Sequence, residues 1–371
     1  MCLTMSSVDA WSQDADSITL HGRVLESGSN EPLIGVHVFV SGTTIGSATD
    51  RNGRFEFRYH DPMIEYDLVA SMIGYLVEVR SMTSGSKGNV EIQFALKPRV
   101  YELREVEILG SNREWKRNLE RFKELLFSTT SNGRECEVIN PEVLDFTYDR
   151  ETGILETRAS EPLRVENKAL GYRITLHDVQ LKGREEDLTW GGEMQFEELI
   201  PRNRRQLRRW NSARNDAYRG STRHFLTALV SDSIDESGFD VFAVARPGSY
   251  TNDINDRPVI GLHPLPEEGS LDATTMRHLF FENVLLVGYY REPEPVRYSS
   301  YLFSKGLRDG GARSAGSNSR AYQASWLVLD TNTAQIDDRG VEYGEFSMRR
   351  FGYWAWERLG EMLPADFDMD D

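Results

Sequence analysis

Residues 54–59 read Arg54-Phe55-Glu56-Phe57-Arg58-Tyr59. Charged and aromatic side chains alternate, so Phe55, Phe57 and Tyr59 share one face of a half-buried strand. Just before it, Asp50-Arg51-Asn52-Gly53 reads as a hairpin turn, because Asn and Gly tolerate the positive φ such turns need. A calcium loop is the other reading of Asp50 and Asn52. The alternate acidic ligands and distal Glu of an EF-hand loop are missing, so the hairpin reading is preferred. Working outward, Val36, Val38 and Val40 fall on one strand face, and Ile92, Phe94 and Leu96 close the set before Pro98. Short alternating segments separated by turn residues every roughly 8–12 positions predict an antiparallel β-sandwich over residues 18–100.

Several spaced runs in this region resemble a known family. They are Leu20-His21-Gly22-Arg23-Val24, Glu31-Pro32-Leu33-Ile34-Gly35-Val36, Gly42-Thr43-Thr44-Ile45-Gly46 and Thr49-Asp50-Arg51-Asn52-Gly53-Arg54-Phe55. Together with Ile73-Gly74-Tyr75, which is similar to a strand of that family, they resemble the carboxypeptidase regulatory-like domain. The resemblance implies a small seven-stranded, prealbumin-like sandwich. Such domains accompany metallocarboxypeptidases and stand at the N-terminus of TonB-dependent outer-membrane receptors. Leu103 to Gly110 is similar to the TonB-box-like strand that follows the domain in those receptors; a plain edge strand leading into a linker is the simpler reading. Only about 260 residues follow, too few for a receptor's plug and 22-stranded barrel.

The expected organisation is a leader over 1–17, the sandwich over 18–100, a connecting strand and amphipathic helix over 101–127, and a β-rich domain with a few helices over 128–371. The fold class is mainly β: a seven-stranded antiparallel sandwich plus a larger β-rich α+β domain. Ser111 with Glu114 makes a capping box, and Trp115, Leu119, Phe122 and Leu126 then form one apolar stripe on a helix. Strands are expected at Val143 to Tyr148, Gly153 to Arg158, Leu170 to Leu181 and Leu188 to Phe196, with a hairpin loop at Asp149–Gly153. Later strands are expected at Phe239 to Ala245, Leu279 to Tyr290, Val296 to Phe303 and Tyr322 to Leu329. Residues 305–320 read as a Gly/Ser/Arg loop. Leu170 to Ile174, Trp210 to Tyr218, Gly220 to Leu226 and Gly352 to Trp354 are similar to segments of bacterial proteins carrying the same N-terminal module. That resemblance implies architecture and not chemistry.

Composition narrows the function. A net charge of −16 opposes general nucleic-acid binding, which needs a broad basic footprint. It also opposes adhesion to anionic membrane surfaces. No run of 18 apolar residues exists, so no transmembrane helix is expected. Cys2 and Cys136 are too few for a disulfide scaffold or a cysteine-rich zinc module. Residues 1–13 resemble the tail of a secretory signal peptide ahead of acidic Asp14, which implies an upstream start codon and a periplasmic or outer-membrane-associated protein. A disordered cytosolic leader is the alternative.

Catalytic signatures do not surface. None of the seven histidines has a Glu three residues later, so the zinc motif of a metallocarboxypeptidase is missing. No nucleophile elbow, Walker A loop or dinucleotide glycine motif occurs. A cysteine nucleophile would have to be Cys136. The expectation is therefore no catalytic residue, no cofactor and no metal.

One charge constellation stands out. Eight arginines lie between Arg202 and Arg223, with Asp216 the single acid among them. Arg204, Arg205, Arg208, Arg209 and Arg214 are the candidate surface for an anion or a partner, since a guanidinium fork suits phosphates and carboxylates. The competing reading pairs these arginines with Glu185, Glu186, Asp187, Glu193, Glu197 and Glu198 of the same chain. His224 reads as a structural histidine. Trp190, Trp210, Trp326, Trp354 and Trp356 read as core residues, with a sugar-stacking platform as the alternative. The function expected is a non-enzymatic exported binding or assembly protein of the cell envelope, with an envelope protein or a saccharide as partner. The alternative is an envelope hydrolase acting on peptide or glycan from the C-terminal domain.

Overall fold

The computed structural model describes residues 17–60, 65–83, 88–99, 112–185, 187–249, 259–264, 276–304, 322–344 and 347–369. The leader, Leu103 to Gly110, the Ser111 cap and the 305–320 loop lie outside the described residues. Two compact units emerge: one within Met1–Val40 and Ile45–Val100, the other within Ser41–Thr44 and Tyr101–Asp371.

The first unit holds seven strands: β1 (Ser17–Glu26), β2 (His37–Val40), β3 (Gly46–Ala48), β4 (Arg54–His60), β5 (Glu65–Ser71), β6 (Glu78–Thr83) and β7 (Gly88–Leu96). They form two sheets, ordered β4-β1-β7 and β3-β2-β5-β6. The alternation read in the sequence is what fills the core: Leu20, Val24, Val38, Leu68, Phe94 and Leu96 are all fully buried. Tyr59 of one sheet meets Tyr66 of the other edge-on, ring centroids 5.3 Å apart. The seven-stranded sandwich is present, with one departure from the all-antiparallel expectation: β1 and β7 run parallel. Two local expectations also change. The Asp50–Gly53 turn does not close a hairpin, because β3 and β4 belong to different sheets; it carries the chain from one sheet to the other. Asp50 Oδ1 accepts from the amides of Asn52 and Arg54 at 2.8 Å each, which explains why Asp and Asn stand there. Ile73–Tyr75 is a turn and not a strand; the Tyr75 hydroxyl donates to Glu26 at 2.9 Å.

The second unit opens on α1 (Asn112–Phe127). Its apolar stripe, with Leu119, Phe122 and Leu126 at the centre, packs onto a six-stranded sheet. That sheet comprises β8 (Cys136–Val138), β9 (Leu144–Tyr148), β10 (Leu155–Ala159), β11 (Leu163–Asn167), β12 (Tyr172–Arg184) and β13 (Asp187–Glu198). Long β12 carries β11 and β10 in succession along one edge and β13 along the other. The expected β9–β10 hairpin forms around Asp149, whose carboxylate accepts from the Glu151 amide.

Helices α2 (Arg204–Tyr218), α3 (Thr222–Val230) and α4 (Ile234–Ser237) follow. Two four-stranded sheets then form. One is β14 (Phe239–Val244), β17 (Val284–Pro293), β18 (Tyr322–Leu329) and β21 (Met348–Gly352); the other is β15 (Ile260–Pro264), β16 (Arg277–Phe281), β19 (Ala334–Ile336) and β20 (Glu342–Tyr343). Phe225 and Leu226 of α3 share one core with Leu279, Leu285, Leu327 and Ile336 of both sheets.

Two strand expectations are corrected here. Leu279 to Tyr290 is not one strand: Asn283 takes φ +66 and turns the chain between β16 and β17. Val296 to Phe303 is a helix, α5 (Val296–Ser304). Aromatic enrichment suggested a strand, but Tyr298, Tyr301 and Leu302 recur at helical spacing and pack together against Tyr353 and Trp356. Pro295 begins the helix, its carbonyl accepting from the Tyr298 and Ser299 amides. Tyr353 and Trp356 sit on α6 (Tyr353–Trp356).

Candidate anionic-partner surface

Helix α2 starts from a reciprocal cap. Asn203 Oδ1 accepts from the Gln206 amide at 3.0 Å, and Gln206 Oε1 accepts from the Arg202 amide at 2.8 Å. One face of the helix is then fixed to the β12 region. Trp210 is buried, and its Nε1 donates to the Lys168 carbonyl at 3.0 Å. Arg214 is buried too. Its Nε donates to Leu170 O at 2.8 Å, one terminal nitrogen to Glu198 at 2.8 Å, and the other to Gly171 O at 3.3 Å. Its guanidinium lies 4.0 Å from the centre of the Tyr172 ring.

The five candidate arginines therefore divide. Arg214 leaves the set: it is a buried anchor and not part of a surface. Arg204, Arg205, Arg208 and Arg209 are exposed on the first two turns of the helix. Arg209 reaches Glu135 at 4.0 Å. Arg204, Arg205 and Arg208 form no ion pair among the described residues. Of the intramolecular pairing expected with the upstream acids, the ion pair between Glu198 and Arg214 is formed; Glu197 instead meets Arg173, outside the cluster, at 3.5 Å. Leu207, 40% exposed, sits among these arginines, and Ile200, 91% exposed, precedes them. The surface therefore combines guanidinium groups with apolar area.

Arg223, close in sequence, is also structural. Its guanidinium donates to the carbonyls of Arg339, Pro364, Ala365 and Phe367 at 2.9–3.2 Å, tying the C-terminal segment to α3. His224 accepts from the Gly220 amide through Nδ1 at 3.1 Å and packs against Tyr218, Phe239 and Tyr289. Burial, with Arg219 and Arg291 adding to it, pushes its pKa down to about 4, so it is a neutral structural side chain.

The tryptophans are core residues. Trp210, Trp326, Trp354 and Trp356 are buried, and each indole N–H finds an oxygen. Trp190 is partly buried against the six-stranded sheet's core. Burial pushes the Cys136 thiol up to about 12, with Glu361 and Glu135 adding to it, the opposite of what a nucleophile needs.

A second constellation was invisible in the sequence. Glu292, Glu357 and Glu361 gather near Tyr298, Tyr353 and Trp356. Burial raises all three carboxyls; at Glu357, driven well above the carboxylate range, the neighbouring Glu361 and Glu292 add repulsion. Glu361 accepts from Asn132 Nδ2 at 2.6 Å, which ties it to the turn after α1. Among the described residues no group of three or more His, Cys, Asp or Glu is placed to hold a metal.

With the geometry in hand, comparison with known proteins identifies one part of the chain. Residues 20–108 match the CarboxypepD_reg-like domain family. The first unit is thus a regulatory-like β-sandwich module. No curated protein matches the chain. Among solved structures, a DUF3823 family protein from Parabacteroides merdae is 11% identical, with TM-score 0.19, covering 50% of this chain and 82% of its own. A DUF3823 family protein from Bacteroides ovatus is 12% identical, with TM-score 0.18 and the same coverages, 50% and 82%. A 9R-lipoxygenase from Cyanothece is 11% identical, with TM-score 0.18, covering 63% of this chain and 51% of its own. At such scores these likenesses carry no argument about function.

Proposed function

We propose that this protein is a non-enzymatic binding or assembly module of the bacterial cell envelope. Its partner is an acidic protein segment or a carboxylate-bearing saccharide held by the exposed face of α2. One observation carries the reading. Arg204, Arg205 and Arg208 stand side by side, exposed and without ion pairs among the described residues, in a chain of net charge −16. Guanidinium forks bind carboxylates in a bidentate manner, and their weak hydration favours use at interfaces. Arg214 and Trp210 lock the helix in place, so the face is presented on a rigid support. Envelope residence is supported by the regulatory-like module. No helix among the described residues is long and apolar enough to cross a membrane.

The test is a titration with a fluorescent oligoglutamate peptide and with an oligogalacturonate. Saturable binding that weakens with salt and vanishes in Arg204→Glu/Arg205→Glu/Arg208→Glu supports the proposal. Equal binding by that variant, or no binding of either probe, refutes it.

The hydrolase reading has one observation of its own, the raised carboxyls of Glu357 and Glu361 among aromatic rings. It ranks second because Glu361 is engaged by Asn132 and no metal-holding group of three accompanies the pair among the described residues. Turnover of a peptidoglycan fragment that is lost in Glu357→Gln would reverse the ranking.

A further inference from the structure

Two histidines fifteen residues apart stand opposite each other on the outward face of the β15-β16-β19-β20 sheet. His263 of β15 lies directly opposite His278 of β16 in antiparallel register. On the other side of His278, its register partner is Gln335 of β19. Register partners share a face, so the three side chains form one row across three strands. The opposite face of these strands turns Leu279, Phe281 and Ile336 into the core.

Residues directly opposite in such a pair hold their Cβ atoms about 4.5–5.5 Å apart. Imidazole nitrogens bind a transition ion at about 2.0–2.1 Å, so two rings on this spacing can close on one ion. The His263 ring lies over Gly261 of its own strand, its Nε2 3.3 Å from where a Cβ would stand, so it reaches an ion shared with His278 by a rotamer change. One further observation fits. His278 Nδ1 is buried and has no hydrogen-bond partner. A buried imidazole nitrogen without a partner carries an unmet polar demand that coordination or hydrogen bonding would satisfy.

We propose that His263 and His278, with the Gln335 amide beside them, form a surface site for a divalent transition-metal ion. Neutral imidazoles suit Cu(II), Ni(II) and Zn(II), and Cu(II) binds tightest of these at nitrogen and oxygen sites. Two protein nitrogens do not fill a coordination sphere, so water completes it alongside Gln335. No sequence motif announces the site, because strand pairing and not local spacing brings the rings together. The site is independent of the α2 arginine face.

The test titrates the full chain with Cu(II) and separately with Zn(II) by calorimetry. A saturable one-to-one site is expected, tighter for copper. His263→Asn and His278→Asn should each weaken copper binding by roughly tenfold or more. His21→Asn, on the other unit, should leave it unchanged. Copper should raise the thermal midpoint of the parent protein and not of the two variants. Equal copper affinity in the variants, or no saturable binding, overturns the proposal. A measurement on the unaltered chain guards against misfolded variants: carbethoxylation of His263, read by mass spectrometry. Protection by copper supports the site, and unchanged modification overturns it.

Discussion

The ring of Trp210 occupies the space that a side chain on Gly171 would need. A Cβ built there would stand 2.2 Å from the indole, and Gly171 has φ +72, which favours glycine on its own account. Gly171 also offers its carbonyl to Arg214. One backbone position thus accepts both anchors of α2. Gly171→Ala should destabilise the second unit by about 3 kcal/mol, from the sum of strain and overpacking. A urea unfolding curve followed by tryptophan fluorescence checks this, with the midpoint expected to fall and the slope to stay constant.

The division of the arginines gives a second expectation. Arg214→Met strands two buried carbonyls and frees Glu198, so about 2–4 kcal/mol should be lost. Arg214→Lys should not rescue it, because an ammonium group cannot reproduce the fork over Tyr172. Arg204→Glu or Arg208→Glu should alter stability by less than about 0.5 kcal/mol. Thermal melts of the four variants side by side distinguish anchor from surface.

Arg358 closes the far end of α1. It donates to Leu125 O at 2.7 Å, to Glu124 O at 3.4 Å and to Glu185 O at 3.3 Å. Leu125 O is among the last carbonyls of the helix, which lack helical partners, whereas Glu124 O also accepts from the Ser128 amide at 3.1 Å. Arg358→Ala should cost about 2 kcal/mol. Hydrogen exchange should quicken in the last two turns of α1 before it does in the first unit.

Much of the fold was legible in the sequence, and the exceptions share a cause. Period-two alternation around Phe55 and Phe94 announced the sandwich because those strands bury one face only, while β2 buries Val38, Phe39 and Val40 alike. Val296 to Phe303 misled because aromatic residues serve a helix face as readily as a strand; only the partners Tyr353 and Trp356, some fifty residues on, decide between them. The Asp50 turn was correct as a turn and wrong as a hairpin, since local chemistry sets the bend and not which sheet receives the next strand. At the candidate site, four of the five arginines were found on the surface. The fifth, Arg214, could be told apart only by tertiary partners. The Glu292, Glu357 and Glu361 cluster and the His263–His278 pair were hidden for the same reason.

Two groups push the pH dependence of stability in opposite directions. His224 has its folded pKa lowered to about 4 by burial. Between that value and the ordinary imidazole range the unfolded chain binds more protons. The His224 contribution is therefore full above about pH 6.5 and is lost as pH falls towards 4. Glu357 has its folded pKa raised well above the carboxylate range, so there the folded protein binds more protons. Its contribution is full at low pH and is lost as pH rises. Glu357→Gln should therefore raise the thermal midpoint at pH 8 and leave that at pH 4.5 nearly unchanged. Melts across pH 4–9 for the parent and this variant check both signs.

The account rests most heavily on the exposed arginine face of α2. The most direct measurement is the affinity of the full chain for oligoglutamate across a range of salt concentrations, with and without Arg204→Glu/Arg205→Glu/Arg208→Glu. The account predicts saturable binding whose logarithm falls linearly with log salt, abolished in the triple variant while its melting curve stays unchanged. Binding of equal strength and salt dependence in the variant would contradict it.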